Sequence, residues 1–261
     1  NPVVGSKVLN FLGLHVLRLL IARAVFNFKL IILSPLVSGG DRREFKRNGF
    51  IVKRDFLPQS LFDRVTNDVQ QWQGEARQCI QGDSATVRMF LDYETLNKNL
   101  ALKEASSIKN FLNLTRYCSA KNEQPRIYVE KVKNHLINSD RVDPQKSLHI
   151  DTFHPTMKFW LFLEDVDDNN GPFNYVPASH RLTWKRLKWE YRRSLRAPDL
   201  SDGYSEKGSF RVDENDLAEM GFDESDIKSF KVPQNTLVIA NTNGFHCRGE
   251  AHKNGATRLA I

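Results

Sequence analysis

The sequence predicts a mainly β fold, a jelly-roll barrel with flanking helices, on three observations. From about residue 147 onward the chain falls into short apolar or alternating runs separated by turn residues. Segments with helical spacing lie mostly ahead of that point. The 261 residues, 26% charged and 40% hydrophobic, describe an ordinary globular chain able to bury a full core. Short strands joined by turns, with helices before them, are what such a barrel requires.

Taken in order, residues 3–37 are apolar but carry Lys7, His15, Arg18, Arg23 and Lys29. No uncharged run approaches the roughly 18–20 residues a spanning helix needs, which excludes a transmembrane segment on sequence grounds. Lys7, Arg18 and Lys29 are eleven apart, close to three helical turns, and line one edge of a predicted helix. Three readings follow. The helix packs on the protein's own body or a second subunit, lies on a membrane surface as a peripheral contact, or is a targeting segment, although no small-residue cleavage site supports the last. Ser34-Pro35 and Ser38-Gly39-Gly40 break it, so residues 1–40 are expected to form a helix and linker, and 41–261 the main domain.

In that domain Phe50-Ile51-Val52 reads as a short strand, and Phe62, Val65, Val69 and Trp72 follow helical spacing. Leu100 to Leu114 reads as one further helix and Ile127 to Val132 as a strand. Leu148 to Asp151 and Met157 to Leu163 are strands. Asn169-Asn170-Gly171-Pro172 is a turn into a return strand, Phe173 to Val176. Thr236 to Ala240 and Ala256 to Ile261 complete the set. An insertion is expected at about 180–232. Its first part, Arg181 to Arg196, holds seven basic residues and one acid, with Trp184, Leu187, Tyr191 and Leu195 on one face as its anchor. The reading is a solvated basic face or a rim attracting an anionic substrate, with the acidic stretch Asp213 to Ser229 as a pairing partner.

A net charge of +7 favours anionic partners without naming them. The basic residues of the insertion have little aromatic interleaving for base stacking, so nucleic acid is not an expected partner. Cys79, Cys118 and Cys247 are an odd number without paired spacing, which points to a reducing, cytoplasmic setting and not to a disulfide framework or zinc site. Asn1 and Ile261, the latter inside an apparent strand, imply further residues beyond both ends.

The chemistry concentrates in four residues. In a strand, i and i+2 share a face, so His149 and Asp151 converge on one point. His246 follows 97 residues later, after the apolar run Leu237 to Ala240, and is placed at the end of a buried strand. Two histidines and a carboxylate cover one face of an octahedral metal and leave the other positions open, the arrangement of a non-haem Fe(II) oxygenase. Arg258, an arginine amid apolar neighbours, needs an anionic partner and can clamp a dicarboxylate such as 2-oxoglutarate. Arg248 is the second choice for that task. His15, His135 and His252 show no partners in sequence, His154 faces away, His180 suits a turn, and Cys247 suits packing.

These residues, with Asn170-Gly171-Pro172 leading into Val176-Pro177-Ala178-Ser179-His180-Arg181, resemble the phytanoyl-CoA dioxygenase family of Fe(II)/2-oxoglutarate oxygenases over residues 45–261. The resemblance implies a double-stranded β-helix of the cupin-like kind, iron held by His149, Asp151 and His246, 2-oxoglutarate bound through Arg258, and O2 as oxidant. It further implies a strand and tail after Arg258. Retention of Asp151 points to hydroxylation and not halogenation, since related halogenases replace that carboxylate. The expected substrate is a small molecule or lipid-like compound. A membrane-associated hydroxylase of a lipid-linked or phosphorylated substrate, and a non-catalytic cupin-type binding module, are the alternatives.

Overall fold

The computed structural model describes residues 5–72, 74–135, 143–199 and 208–261. Two helical segments open it, the short α1 (Lys7–Phe11) and the long α2 (Leu14–Leu33), followed by α3 (Gly39–Asn48). The single helix expected over 3–37 is therefore broken. Gly13 sits at φ +93°, a conformation that side-chain-bearing residues rarely adopt, and ends the first helix before the second begins. Lys7, Arg18 and Lys29 consequently do not form one continuous edge. Lys7 pairs with Asp199 at 2.6 Å, and the Arg18 guanidinium lies 4.2 Å over the Phe153 ring.

The domain that follows begins with β1 (Phe50–Lys53) and α4 (Gln59–Gln70), whose Leu61, Phe62, Val65 and Val69 are buried at helical spacing. A hairpin, β2 (Ala76–Gln81) and β3 (Ser84–Phe90), comes next and was not expected. Its signal was present: Gly82-Asp83 is a two-residue hairpin connection between alternating runs. The helix expected over 100–114 is instead α6 (Leu100–Ser106) and α7 (Lys109–Ser119), preceded by α5 (Tyr93–Lys98). Ser107 caps α6 and Ile108 turns to an extended conformation, so the chain changes direction where periodicity alone looked continuous.

Strands β4 (Tyr128–Lys133), β5 (Met157–Phe162), β6 (Phe173–Tyr175), β8 (Thr236–Asn241) and β10 (Thr257–Ala260) stand where alternation placed them. Two more, β7 (Lys228–Phe230) and β9 (His246–Arg248), are three residues each and too short to show a period, whereas the equally short β6 was marked by the turn before it. Between β6 and β7 lie α8 (Trp184–Arg196) and α9 (Glu214–Met220), so β7 enters the barrel from inside the range 180–232.

Among the described residues the strands form two antiparallel sheets, one in the order β1-β8-β5-β10-β4-β3-β2 and one in the order β7-β6-β9. This is the jelly-roll architecture the strand pattern predicts. Alternation sorts each strand between two cores. Leu161, Leu237, Ile239 and Leu259 face outward against the helices, packing with Phe62, Leu102 and Leu114. Phe162, Val238, Ala240 and Ala260 face inward, where they meet Phe173, Tyr175 and Phe230 of the smaller sheet. The space between the sheets is thus apolar at one end, which leaves polar inward positions of the same strands to build a site at the other.

The helix α8 docks differently from its sequence reading. Trp184, expected in the anchoring face, is 85% exposed, and the buried positions are Arg186, Trp189, Glu190 and Ser194. The reason is electrostatic. Arg186 reaches Glu190 one turn away through two hydrogen bonds of 3.0 and 3.1 Å and also donates to the carbonyls of Ser179 and Asn243. The buried charges are fully partnered, which is the condition for burying them at all. His15, which sequence left without a partner, completes the group from α2 at 2.9 Å from Glu190. On the outer side Arg192 pairs with Glu219, and Arg193 with Asp213 and Asp216, so the basic and acidic parts of the insertion do join.

Candidate metal centre

The stretch expected to be a strand at 148–151 is held instead by isolated bridges. His149 and His246 exchange both backbone hydrogen bonds, each 3.0 Å, and His149 also bridges Arg211. The N–H of Asp151 donates to Thr242 at 3.0 Å. A pair that exchanges both bonds stands directly opposite across an antiparallel ladder, so the two imidazoles share a face, with ring centroids 4.4 Å apart. His246 does not end the apolar strand before it. The chain turns after Asn241, with the Gly244 N–H donating to the Asn241 carbonyl at 3.0 Å, and His246 begins β9 of the smaller sheet. Gly244 is required there, because a Cβ at this position would overlap the Tyr175 hydroxyl.

Both imidazoles are oriented by the same device. His149 Nδ1 lies 2.7 Å from the Ser147 carbonyl and His246 Nδ1 lies 2.9 Å from the Gly244 carbonyl, in each case two residues back. A carbonyl only accepts, so each Nδ1 carries the proton and each Nε2 presents a lone pair. These two Nε2 atoms lie 3.9 Å and 3.7 Å from Asp151 Oδ1, too far for hydrogen bonds. The three residues offer ligand atoms within 4.8 Å of one another. His246 Nε2 is buried and has no hydrogen-bond partner. A buried acceptor left unsatisfied costs about 1–3 kcal/mol, and a cation at the shared centre would satisfy it.

Protonation states agree with this. Burial, and next the neighbouring His246, hold the His149 imidazole well below its ordinary pKa and so neutral. Burial by itself would raise the Asp151 carboxyl, but the Lys158 ammonium 2.9 Å away outweighs it and keeps the carboxyl well below the usual carboxylate range. A neutral His149 imidazole and an ionised Asp151 carboxylate are the forms that bind a divalent metal without first losing protons.

Arg258 is buried on the inward face of β10, and its guanidinium donates to the Gly171 carbonyl. Gly171 is two residues before Phe173, whose ring stands 5.9 Å from that of His246. Among the described residues Arg258 has no ion-pair partner. Burial, then the nearby Arg248, push its pKa down to about 10 against a smaller opposing effect of Glu130. Arg248 is the contrast. It pairs with the fully buried Asp143 at 2.8 Å and donates to Thr86 at 3.3 Å. Its charge is already used. Arg248→Ala should therefore act on stability, leaving Asp143 buried and uncompensated at a cost of about 3–5 kcal/mol. Denaturant unfolding would read that loss, and a stable variant with impaired 2-oxoglutarate binding would contradict it.

Sequence reasoning missed two residues beside the centre. Lys158 lies 2.9 Å from Asp151 Oδ2. Its signal was a lone cation on the inward face of the otherwise apolar β5, shared with Trp160 and Phe162. Arg211, bridged to His149, had no legible signal because it sits in a segment with no periodicity. The other histidines lie outside the cluster. His135 is 2.9 Å from Asp83, a partner not foreseen, and His180 is buried in a turn with its pKa pushed down to about 3 by burial and Arg23. Cys247 is buried as packing, with its thiol pushed up to about 12.

A phytanoyl-CoA dioxygenase family model matches residues 45–213, which include His149 and Asp151 but end before His246 and Arg258. Among solved structures the chain is similar to the epimerase SnoN in complex with Fe3+, alpha-ketoglutarate and nogalamycin RO, at 13% identity and a TM-score of 0.56 over 88% of this chain and 81% of SnoN. It is also similar to HygX from Streptomyces hygroscopicus with nickel and 2-oxoglutarate bound, at 13% identity and a TM-score of 0.51 over 86% of this chain and 85% of HygX. Likeness at this identity shows the fold. No curated protein sequence matches the chain significantly.

Proposed function

The chain belongs to the phytanoyl-CoA dioxygenase family, and from that premise we propose that it is an Fe(II)- and 2-oxoglutarate-dependent dioxygenase hydroxylating an unactivated C–H bond of a small-molecule or lipid-like substrate. The observation that carries the reading is the convergence of His149, Asp151 and His246 with both Nδ1 protons tied to backbone carbonyls and a buried Nε2 without a partner. Such a ligand set leaves open positions on the metal, as a co-substrate and O2 require. When bound, iron with 2-oxoglutarate and O2 supplies the oxidising power for C–H cleavage, which no side chain can provide.

The protein's own part is positioning. Ser147 and Gly244 hold the two imidazoles in rotamer and tautomer, and Lys158 holds the Asp151 carboxylate. Arg258 offers a buried guanidinium to the far carboxylate of 2-oxoglutarate, where burial makes a two-pronged pairing strong and selective. The Phe173 ring, 5.9 Å from that of His246, gives the site one apolar wall.

Two other readings are separated by the product. SnoN, which shares the fold, is an epimerase solved with Fe3+ and alpha-ketoglutarate, so epimerisation without net hydroxylation is one of them. A cupin-type binding module would turn over nothing. Substrate-dependent succinate release across acyl-CoA, lipid and phosphorylated compounds is the test, followed by the mass of the product. Gain of one oxygen atom supports hydroxylation. An isomer of unchanged mass replaces it with epimerisation, and no succinate with any compound in the presence of iron favours the binding module.

A further inference from the structure

Positive charge is concentrated at one end of this chain. Residues 1–54 hold ten Lys or Arg and two acids, a net +8 against +7 for the whole protein, and residues 1–40 contain no Asp or Glu. The same segment builds α1, α2 and α3. One side of α2 is fixed to the domain by His15 on Glu190, by Arg23 on the His180 carbonyl and Asn243, and by the buried Leu19 and Phe26. The opposite side is apolar and uncovered. Leu17, Ile21, Val25, Phe28, Ile31 and Ile32 are 48–72% exposed, at helical spacing along the whole length of α2. Phe11 and Leu12, 68% and 74% exposed, add uncovered apolar surface ahead of the break at Gly13. Isolated exposed apolar residues need no explanation, but a stripe along the whole of α2 marks a contact surface.

What the stripe contacts is limited by charge and by anchoring. No helix among the described residues is long and apolar enough to cross a membrane, and the buried polar contacts of α2 keep its other side on the protein. A helix held in that way can only lie along a surface. Beyond its end, α3 exposes Arg42, Arg43, Lys46 and Arg47. Arg43, Lys46 and Arg47 join Arg181 and Lys228 in lining an open cleft of about 740 Å³, in which Glu44 is the acid. A second copy of the chain would bring two such +8 segments together, which is repulsive, whereas an anionic surface neutralises them. Trp184, 85% exposed at the start of the neighbouring α8, is a residue type favoured at the boundary between headgroups and acyl chains.

We propose that α1, α2 and α3 form a membrane-docking face: the apolar stripe enters the headgroup–acyl boundary of an anionic bilayer, and the basic cleft of α3 receives a lipid phosphate. Guanidinium groups pair bidentately with phosphate oxygens, so the cleft supplies the preference for anionic lipid and the stripe supplies the depth. This docking is independent of the metal centre. Its failure would leave the iron and 2-oxoglutarate reading intact, and the reverse holds equally.

The test is sedimentation of the full chain with phosphatidylcholine vesicles, with and without phosphatidylserine, alongside its mass in solution without lipid. Binding to the anionic vesicles, weakened by salt, is expected. The double variant Ile21→Glu/Phe28→Glu should lower partitioning on the order of ten-fold or more. The double variant Arg43→Glu/Lys46→Glu should remove the preference for phosphatidylserine. Circular dichroism and Fe(II)/2-oxoglutarate absorption should stay unchanged in both. A dimer that Ile21→Glu/Phe28→Glu disperses, with no vesicle binding by the native chain, would overturn the proposal in favour of a subunit interface. Equal binding to neutral and anionic vesicles by the native chain and both variants would overturn it as well.

Discussion

Alanine in place of His149 or Asp151 is expected to abolish Fe(II) binding, the largest single effect the structure implies. Anaerobic addition of Fe(II) and 2-oxoglutarate to the native protein should give a visible charge-transfer absorption, and either variant should lose it. Removing even an outer partner of a metal ligand typically costs 10- to 100-fold in affinity, so loss of one of three ligands should exceed roughly 100-fold. Folding should survive. The main cores lie elsewhere, in the helix-facing layer and the apolar end of the barrel. A native chain that bound iron no better than a His149→Ala/Asp151→Ala protein would show that the cluster is a polar network and not a metal centre.

Arg258→Ala is expected to weaken 2-oxoglutarate binding while leaving Fe(II) affinity nearly unchanged. Losing one partner of a buried charged pair costs about 2–5 kcal/mol, roughly 30- to several thousand-fold in dissociation constant. Its selectivity distinguishes it from the ligand variants, because Arg258 bonds the Gly171 carbonyl and no metal-ligating atom. Arg258→Lys should recover part of the affinity, since the charge remains but the two-pronged geometry is lost. Titration of the same absorption band with 2-oxoglutarate at saturating Fe(II) measures both. Unaltered affinity in Arg258→Ala would leave a metal enzyme with another co-substrate as the better reading.

How much of this was legible beforehand depended on the range of the interaction concerned. Strands such as β5, β8 and β10 and the buried face of α4 follow from periodicities of two and 3.6, which are properties of neighbouring residues. The candidate ligand set that the fold brings together was legible because chemistry restricts such a set to few residue types in a short HxD spacing with a distant histidine. The element carrying it was not. Residues 148–151 are held by bridges to Arg211 and His246, partners 62 and 97 positions beyond His149, and nothing local announces them. The hairpin of β2 and β3 was readable from Gly82-Asp83 and was overlooked, whereas β7 and β9, three residues each, carry no usable period.

By itself the sequence determined the fold class and singled out His149, Asp151, His246 and Arg258 as the candidate site residues, because composition and spacing are written in the chain. Only the tertiary structure decided which charges are already satisfied. Arg248 and Arg258 stand ten residues apart, yet Asp143 pairs with the first, and the second has no ion-pair partner among the described residues. Likewise Glu190, with Arg186 and His15, turned α8 onto a different face from the one its apolar residues predicted. The physical reason is common to both. A buried charge is governed by its partner, and partners are brought together by long-range packing that no local pattern records.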